Sequence, residues 1–168
     1  MDAALWGFLG TLVGAGASFL ATYLTARYAA KSQGEAAAKE RAIRERLLQR
    51  QTLIELQNEL NNLLRANAMI FMEDMRQAQQ GMPWSGLVAN VEASEAARRA
   101  FAQVSVLSSR VAIDAIRSEV GKVRDLLNEA LEAGDHVEVD RRHRAAMIAG
   151  IDVIEKVGEE IRRCGSTV

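Results

Sequence analysis

The chemistry-bearing side chains concentrate in one short stretch, Asp135-His136-Val137-Glu138-Val139-Asp140-Arg141-Arg142-His143, which holds both histidines of the chain. A metal site here would use Asp140 and His143, three residues apart on a helix, with His136 or Glu138 reaching in from a loop. That spacing fits no zinc pattern, and the adjacent arginines repel a cation. The stretch therefore reads as a solvated loop and helix start, and no metal is expected. Histidine titrates near neutrality, so a pH-responsive pair is the alternative. Glu73-Asp74 and Glu159-Glu160 are adjacent carboxylates that leave a helix on different faces, as solvated surface residues do. Cys164, the single cysteine, follows Arg162 and Arg163, whose charge favours a thiolate. It cannot form an intramolecular disulfide and reads as a C-terminal thiol without a role. Glycine-rich phosphate loops, nucleophile–histidine–acid arrangements and cysteine pairs are all missing. The expectation is a non-enzymatic protein without a cofactor.

Interaction chemistry is more prominent. Ala3 to Ala26 carry no charge, bounded by Asp2 and Arg27. At about 1.5 Å per residue these positions make roughly 36 Å of helix, enough for the ~30 Å hydrocarbon layer of a membrane. On a helical wheel the bulky residues, among them Leu5, Trp6, Phe8, Leu12, Phe19, Leu20 and Leu24, share one half. Gly7, Gly10, Thr11, Gly14, Ser18, Thr22 and Thr25 share the other, with Gly10, Gly14, Ser18, Thr22 and Ala26 repeating every four residues. Small and hydroxyl side chains allow the close backbone approach that drives helix association in lipid. This half is the expected helix–helix interface. The alternative is that Thr11, Ser18, Thr22 and Thr25 line a pore in a ring of copies, although no charged ring accompanies them. The Trp6-Gly7-Phe8-Leu9-Gly10 opening resembles the span starts of small bacterial membrane proteins, a resemblance that implies no function.

Lys and Arg are absent before this segment and frequent after it, with Arg27, Lys31, Lys39 and Arg41 first. The positive-inside rule then places the N-terminus outside and the remainder in the cytoplasm, at the inner membrane in a bacterium. A cleaved signal peptide would need a basic start and a shorter apolar core.

The elements that must position these residues read as helices. Apolar residues make up 49% of the chain but aromatics only 5%, with one proline, so Ala, Leu, Val, Ile and Met dominate, as in all-α proteins. Net charge is −1, which gives nucleic acid no general attraction. The reading is all-α: a single N-terminal transmembrane helix (3–26), a juxtamembrane junction (27–35) and an elongated, coiled-coil-like, up-down-up three-helix bundle (36–168). Ser32-Gln33-Gly34-Glu35 has the form of a capping box, which favours a kink or hinge over one unbroken helix. The first bundle helix covers about 36–80, with a ladder at Leu53, Leu56, Leu60, Leu63, Leu64, Ala68, Phe71 and Met75. Gly81-Met82-Pro83-Trp84-Ser85-Gly86 is the clearest turn. A second helix spans about 87–133 on a seam of Ile113, Ile116, Val120, Val123, Leu127 and Ala130, and stops at Gly134. The third covers about 139–163, with Met147, Ile151, Ile154, Gly158 and Ile161 inward.

Three interaction sites follow. The small-residue face would pair the span with a second copy or a partner membrane helix. Met82 and Trp84, with Leu87 and Val88, would form an apolar tip that either plugs the core or docks a cytoplasmic protein. In an up-down-up bundle the loop before Val139 returns to the bilayer, so Arg141, Arg142 and Arg144 would join Arg27, Lys31, Lys39 and Arg41 in a basic collar against membrane lipid. The expected role is a membrane-anchored scaffold, adaptor or regulator that oligomerises. The alternative is a pore-forming effector or small channel subunit with the bundle as gate.

Overall fold

The computed structural model describes residues 2–133 and 135–166, with side chains from Gly14 onward except Ala15, Ala17 and Ser85. Its described elements are α1 (Asp2–Gln79), a single 3-10 turn (Trp84–Gly86), α2 (Val91–Arg110), α3 (Asp114–Leu131) and α4 (His136–Gly165). They divide into two compact units, Met1–Glu45 and Arg46–Val168.

In the first unit the backbone is helical throughout its described residues. The expected capping box does not form. Ser32 Oγ instead donates to Ala29 O at 3.1 Å within the running helix, and Ala29, Ala30 and Ala36 to Ala38 carry the helix past Gly34 by propensity. The helix accordingly runs through 32–35 without a break in its assignment. Glu40 and Arg44 pair at 3.1 Å, one turn apart. No helix is long and apolar enough among the described residues to cross a membrane. Within the Ala3–Ala26 segment the side chains of residues 3–13, 15 and 17, Gly7, Gly10 and Thr11 among them, lie outside what the structure describes.

The second unit is a helical bundle of four elements rather than three. The end of α1 is closed by a Schellman arrangement: Gly81 has φ 87°, Gly81 N–H donates to Ala78 O at 3.0 Å, and Met82 N–H donates to Gln77 O at 3.2 Å. Only glycine adopts that backbone cheaply. Gln77, buried, then clamps the loop, its carboxamide donating to Val88 O at 2.9 Å and accepting from Val88 N–H at 2.8 Å. Asn90 caps α2 by accepting from Ala93 N–H, and Asp135 caps α4 by accepting from Val137 and Glu138 N–H.

Between α2 and α3 the chain reverses at Val111-Ala112-Ile113, where a single helix was expected from the unbroken apolar period. No glycine or proline marks the break. Its backbone groups are satisfied from elsewhere: Ala112 N–H by Gln49 Oε1 at 3.3 Å, and Val111 O by the Arg117 guanidinium at 2.6 Å. Val111 and Ile113 are β-branched and sit in extended backbone, which suits their stiff side chains. Val111 is itself core, 1% exposed.

The directions of the helices follow from paired contacts. Phe71 of α1 stacks on His143 of α4, Leu64 lies against Gly150, and Gln57 donates to Ile154 O. Moving back along α1 thus moves forward along α4. The same reversal relates α3 to α4, because Glu119 meets Lys156 while Arg142 reaches Glu129 O. The bundle therefore runs up-down-up-down. Its core joins Leu53, Leu56, Leu60 and Leu63 to Val104, Val111, Val120, Val123, Val153 and Val157. On α4 the inward stripe is Val139, His143, Ala146, Gly150, Val153 and Val157, not the expected isoleucine stripe; Ile151 is exposed, and Met147, Ile154 and Ile161 only flank the core.

The small seam has a steric cause. A methyl on Gly150 would fall 2.6 and 2.7 Å from the two Leu64 methyls, and Leu64 is 4% exposed, so it has little room to move. Gly150→Ala should cost about 1–3 kcal/mol by overpacking. Gly121→Ala, with nothing within 4 Å, should gain about 0.5–1 kcal/mol of helix propensity. Urea unfolding of both variants checks the opposite signs.

Candidate functional site

At the end of the bundle where α1 and α3 finish and α2 and α4 begin, the four elements leave a cleft of about 570 Å³. That is the size of a small-molecule site. Its walls are largely apolar, with Leu63 and Ile70 from α1, Trp84 and Leu87 from the connecting loop, and Leu127 from α3. Asn67, Asp74, Ser94, Arg98 and Asn128 supply polar groups. The turn around Pro83 directs Trp84, which is half-buried, into this cleft, whereas Met82 points outward at 42% exposure. The expected apolar tip is thus split: Trp84 and Leu87 line a concavity, and Met82 and Val88 face solvent.

Two polar residues give the cleft its character. Asn67 is nine-tenths buried and donates its Nδ2 to Leu63 O at 2.8 Å; its carbonyl oxygen accepts no hydrogen bond among the described residues but is not one of the fully buried unpaired atoms. Asp74 is half-buried, and burial first, then the neighbouring Glu73 charge, pushes its carboxyl up. No Arg, Lys or His pairs with it among the described residues. Its neighbour behaves oppositely, because hydrogen bonds from Arg76 and Gln77 hold Glu73 at about 2. Adjacent positions on one helix therefore divide into a paired surface carboxylate and an unpaired one in the cleft, so the reading of both as solvated surface is corrected for Asp74. On α2, Phe101 forms part of the wall while Arg124 stacks over its ring at 4.6 Å; the Arg124 Nε is buried without a hydrogen-bond partner among the described residues.

The histidine stretch resolves differently from its sequence reading. His143 is core, not solvated, and its ring lies parallel to Phe71 with centroids 4.2 Å apart and 12° between planes. Asp140 pairs with Arg144 at 2.9 Å, and Glu138 is held at about 2 by Arg141 and Arg142. The carboxylates that a metal would need are committed, and no group of potential ligands gathers among the described residues. Arg141, Arg142 and Arg144 stand at the Phe71 end of the bundle. The extra reversal at Val111–Ile113 puts the end of α4 beside Arg50 instead. The three-helix topology that would carry Arg141, Arg142 and Arg144 back to the Arg46 end is not the one adopted; Arg141 and Arg142 share Glu138, and Arg144 pairs with Asp140, each about one turn away. Arg27, Lys31, Lys39 and Arg41 belong to the other unit and are exposed. In that unit Gly14 and Gly16 face open space, and Thr22 and Thr25 fold their hydroxyls back onto Ser18 O and Ala21 O. Cys164 is half-buried and packs on the core.

His143 makes stability pH-dependent. Burial lowers its pKa, and Asp140 offsets this only in part. The unfolded chain then takes up a proton as pH falls past about 6.5 while the folded chain does not, so stability is complete above that value and declines below it. The urea midpoint should fall between pH 7 and pH 5.5, and His143→Leu should flatten that slope. An equal slope in the variant would assign the effect elsewhere.

The chain matches no family model, no curated protein and no solved structure.

Proposed function

We propose that this is a single-pass, membrane-anchored helical protein, N-terminus outside and bundle in the cytoplasm, that self-associates or pairs through its N-terminal helix and serves as a non-enzymatic adaptor or regulator. The observation that carries this reading is a row of large apolar side chains on α1 left exposed among the described residues of its unit. Phe19, Leu20, Tyr23, Leu24 and Tyr28 are 76, 59, 56, 44 and 72% exposed. On the same helix Gly14, Ser18, Thr22 and Thr25 are exposed too. Large apolar side chains so displayed call for lipid or a partner surface. The uncharged run from Ala3 to Ala26 and the basic residues that follow it favour lipid. Opposite the bulky side chains, the small residues offer the close approach that membrane helices use to associate.

The bundle supports the cytoplasmic role. It has its own core and its own cleft, which suits a folded unit that engages a further partner.

Alkaline carbonate extraction of native membranes tests the anchor. The chain should stay in the pellet, and its release to the supernatant would overturn the reading. Gly14→Leu with Ser18→Leu should weaken association in a membrane cross-linking assay, whereas Leu20→Ala with Leu24→Ala should do less. Equal losses would remove the case for a small-residue face.

A further inference from the structure

We propose that the cleft at the Phe71 end of the bundle binds a small amphipathic monoamine, its ammonium group on Asp74 and its apolar body between Trp84, Ile70 and Leu127. The cleft belongs wholly to the second unit, so this ligand does not depend on the membrane reading.

The chemistry of the walls selects the ligand. Asp74 is a half-buried carboxylate without a counter-ion among the described residues, while Glu73, Glu119, Glu138 and Asp140 each hold an arginine or lysine. An ammonium ion supplies the missing charge and three N–H donors. Trp84 adds an indole face in the same cleft, and cations are attracted to such faces within about 6 Å. Asn67 supplies a second acceptor: its Nδ2 is tied to Leu63 O, which leaves its carbonyl oxygen open to a donor in the cleft. It stands two turns from Asp74 on the same face of α1, about 10 Å along the axis, with Ile70 between them. Both helix-borne groups thus accept hydrogen bonds, with an apolar step between, which suits a donor-bearing molecule with an apolar middle.

Arg98 limits the class further. It lines the cleft from α2, is exposed, and has no ion pair among the described residues. A positive charge there opposes a second ammonium, so a polyamine is disfavoured, and a carboxylate on the ligand would be tolerated. The predominantly apolar lining likewise excludes a small hydrophilic ion, which would leave Leu63, Leu87 and Leu127 against water.

The test uses the full chain in detergent solution, following the Trp84 indole and Asn67 carboxamide resonances by NMR. The probes are 2-phenylethylamine, its neutral isostere 2-phenylethanol, the anion 3-phenylpropanoate, and spermidine. 2-Phenylethylamine should shift both resonances saturably and bind about tenfold tighter than 2-phenylethanol, the difference one charge-assisted hydrogen bond supplies. Asp74→Asn should erase that preference while leaving 2-phenylethanol unchanged, and circular dichroism should show the fold intact. Arg98→Gln, an independent variant, should leave 2-phenylethylamine bound as tightly or more so and improve spermidine. The proposal is overturned if no probe gives a saturable shift, if the alcohol, the anion or spermidine matches the amine on the unaltered protein, or if Asp74→Asn keeps the preference. Loss of amine binding in a folded Arg98→Gln variant would overturn it as well.

Discussion

The close approach of α1 and α4 governs the bundle. Leu64 occupies the space that a side chain on Gly150 would need, so the helices can mesh only in the register that sets these two opposite each other. That register carries His143 to Phe71 at one end and Ile154 to Gln57 at the other. Sliding α4 by one turn would put Ala146 or Ile154 against Leu64, exchanging an empty position for methyl groups in an interior that is already close-packed. The seam on α4 is therefore made of small side chains, Ala146, Gly150, Val153 and Val157, and the larger isoleucines are displaced to its flanks.

A second constraint acts from the opposite end. Gln49 lies within α1, and its side-chain oxygen accepts from Ala112 N–H at 3.3 Å, in the reversal between α2 and α3. Arg117 completes the turn by binding Val111 O. Because of that reversal α4 runs down rather than up, and the consequences reach across the unit. The end of α3 and the start of α4 meet the end of α1 and the start of α2, and the cleft forms where these four termini converge. The arginines of early α4 go with them, while Arg162 and Arg163 are delivered towards Arg50.

Local patterns made parts of this legible. The leucine ladder from Leu53 to Leu64 and the Ile116–Ala130 seam are core as their periods imply, because a heptad repeat reports one face of one helix directly. Gly81 marks its turn because positive φ has few other solutions. Nothing local marks the break at Val111, and the side chain that accepts from Ala112 N–H there, Gln49, lies 63 residues away. The inward face of α4 was misread by weighing side chains by hydrophobicity, when the partner helix required small volume. His143 reads as solvated from sequence because nothing in its neighbourhood along the chain announces Phe71. Asp74 differs from Glu73 only in which way the helix turns it, and a sequence resolves that only once the partner faces are known. The single clue was spacing, since Asn67, Ile70 and Asp74 lie on one helical face with Leu63 and Leu60.

Interspin distances test the topology most directly. With Cys164 replaced by serine, nitroxide labels on cysteines introduced at Arg163 and Gln51 should lie close together, since the end of α4 returns beside Arg50. Labels at Arg163 and Met72 should be farther apart by about 20 Å, given the ~30 Å of helix between positions 51 and 72. The reverse order, with Met72 near and Gln51 far, would mean that α4 runs up rather than down, and neither the cleft nor its ligand would survive that result.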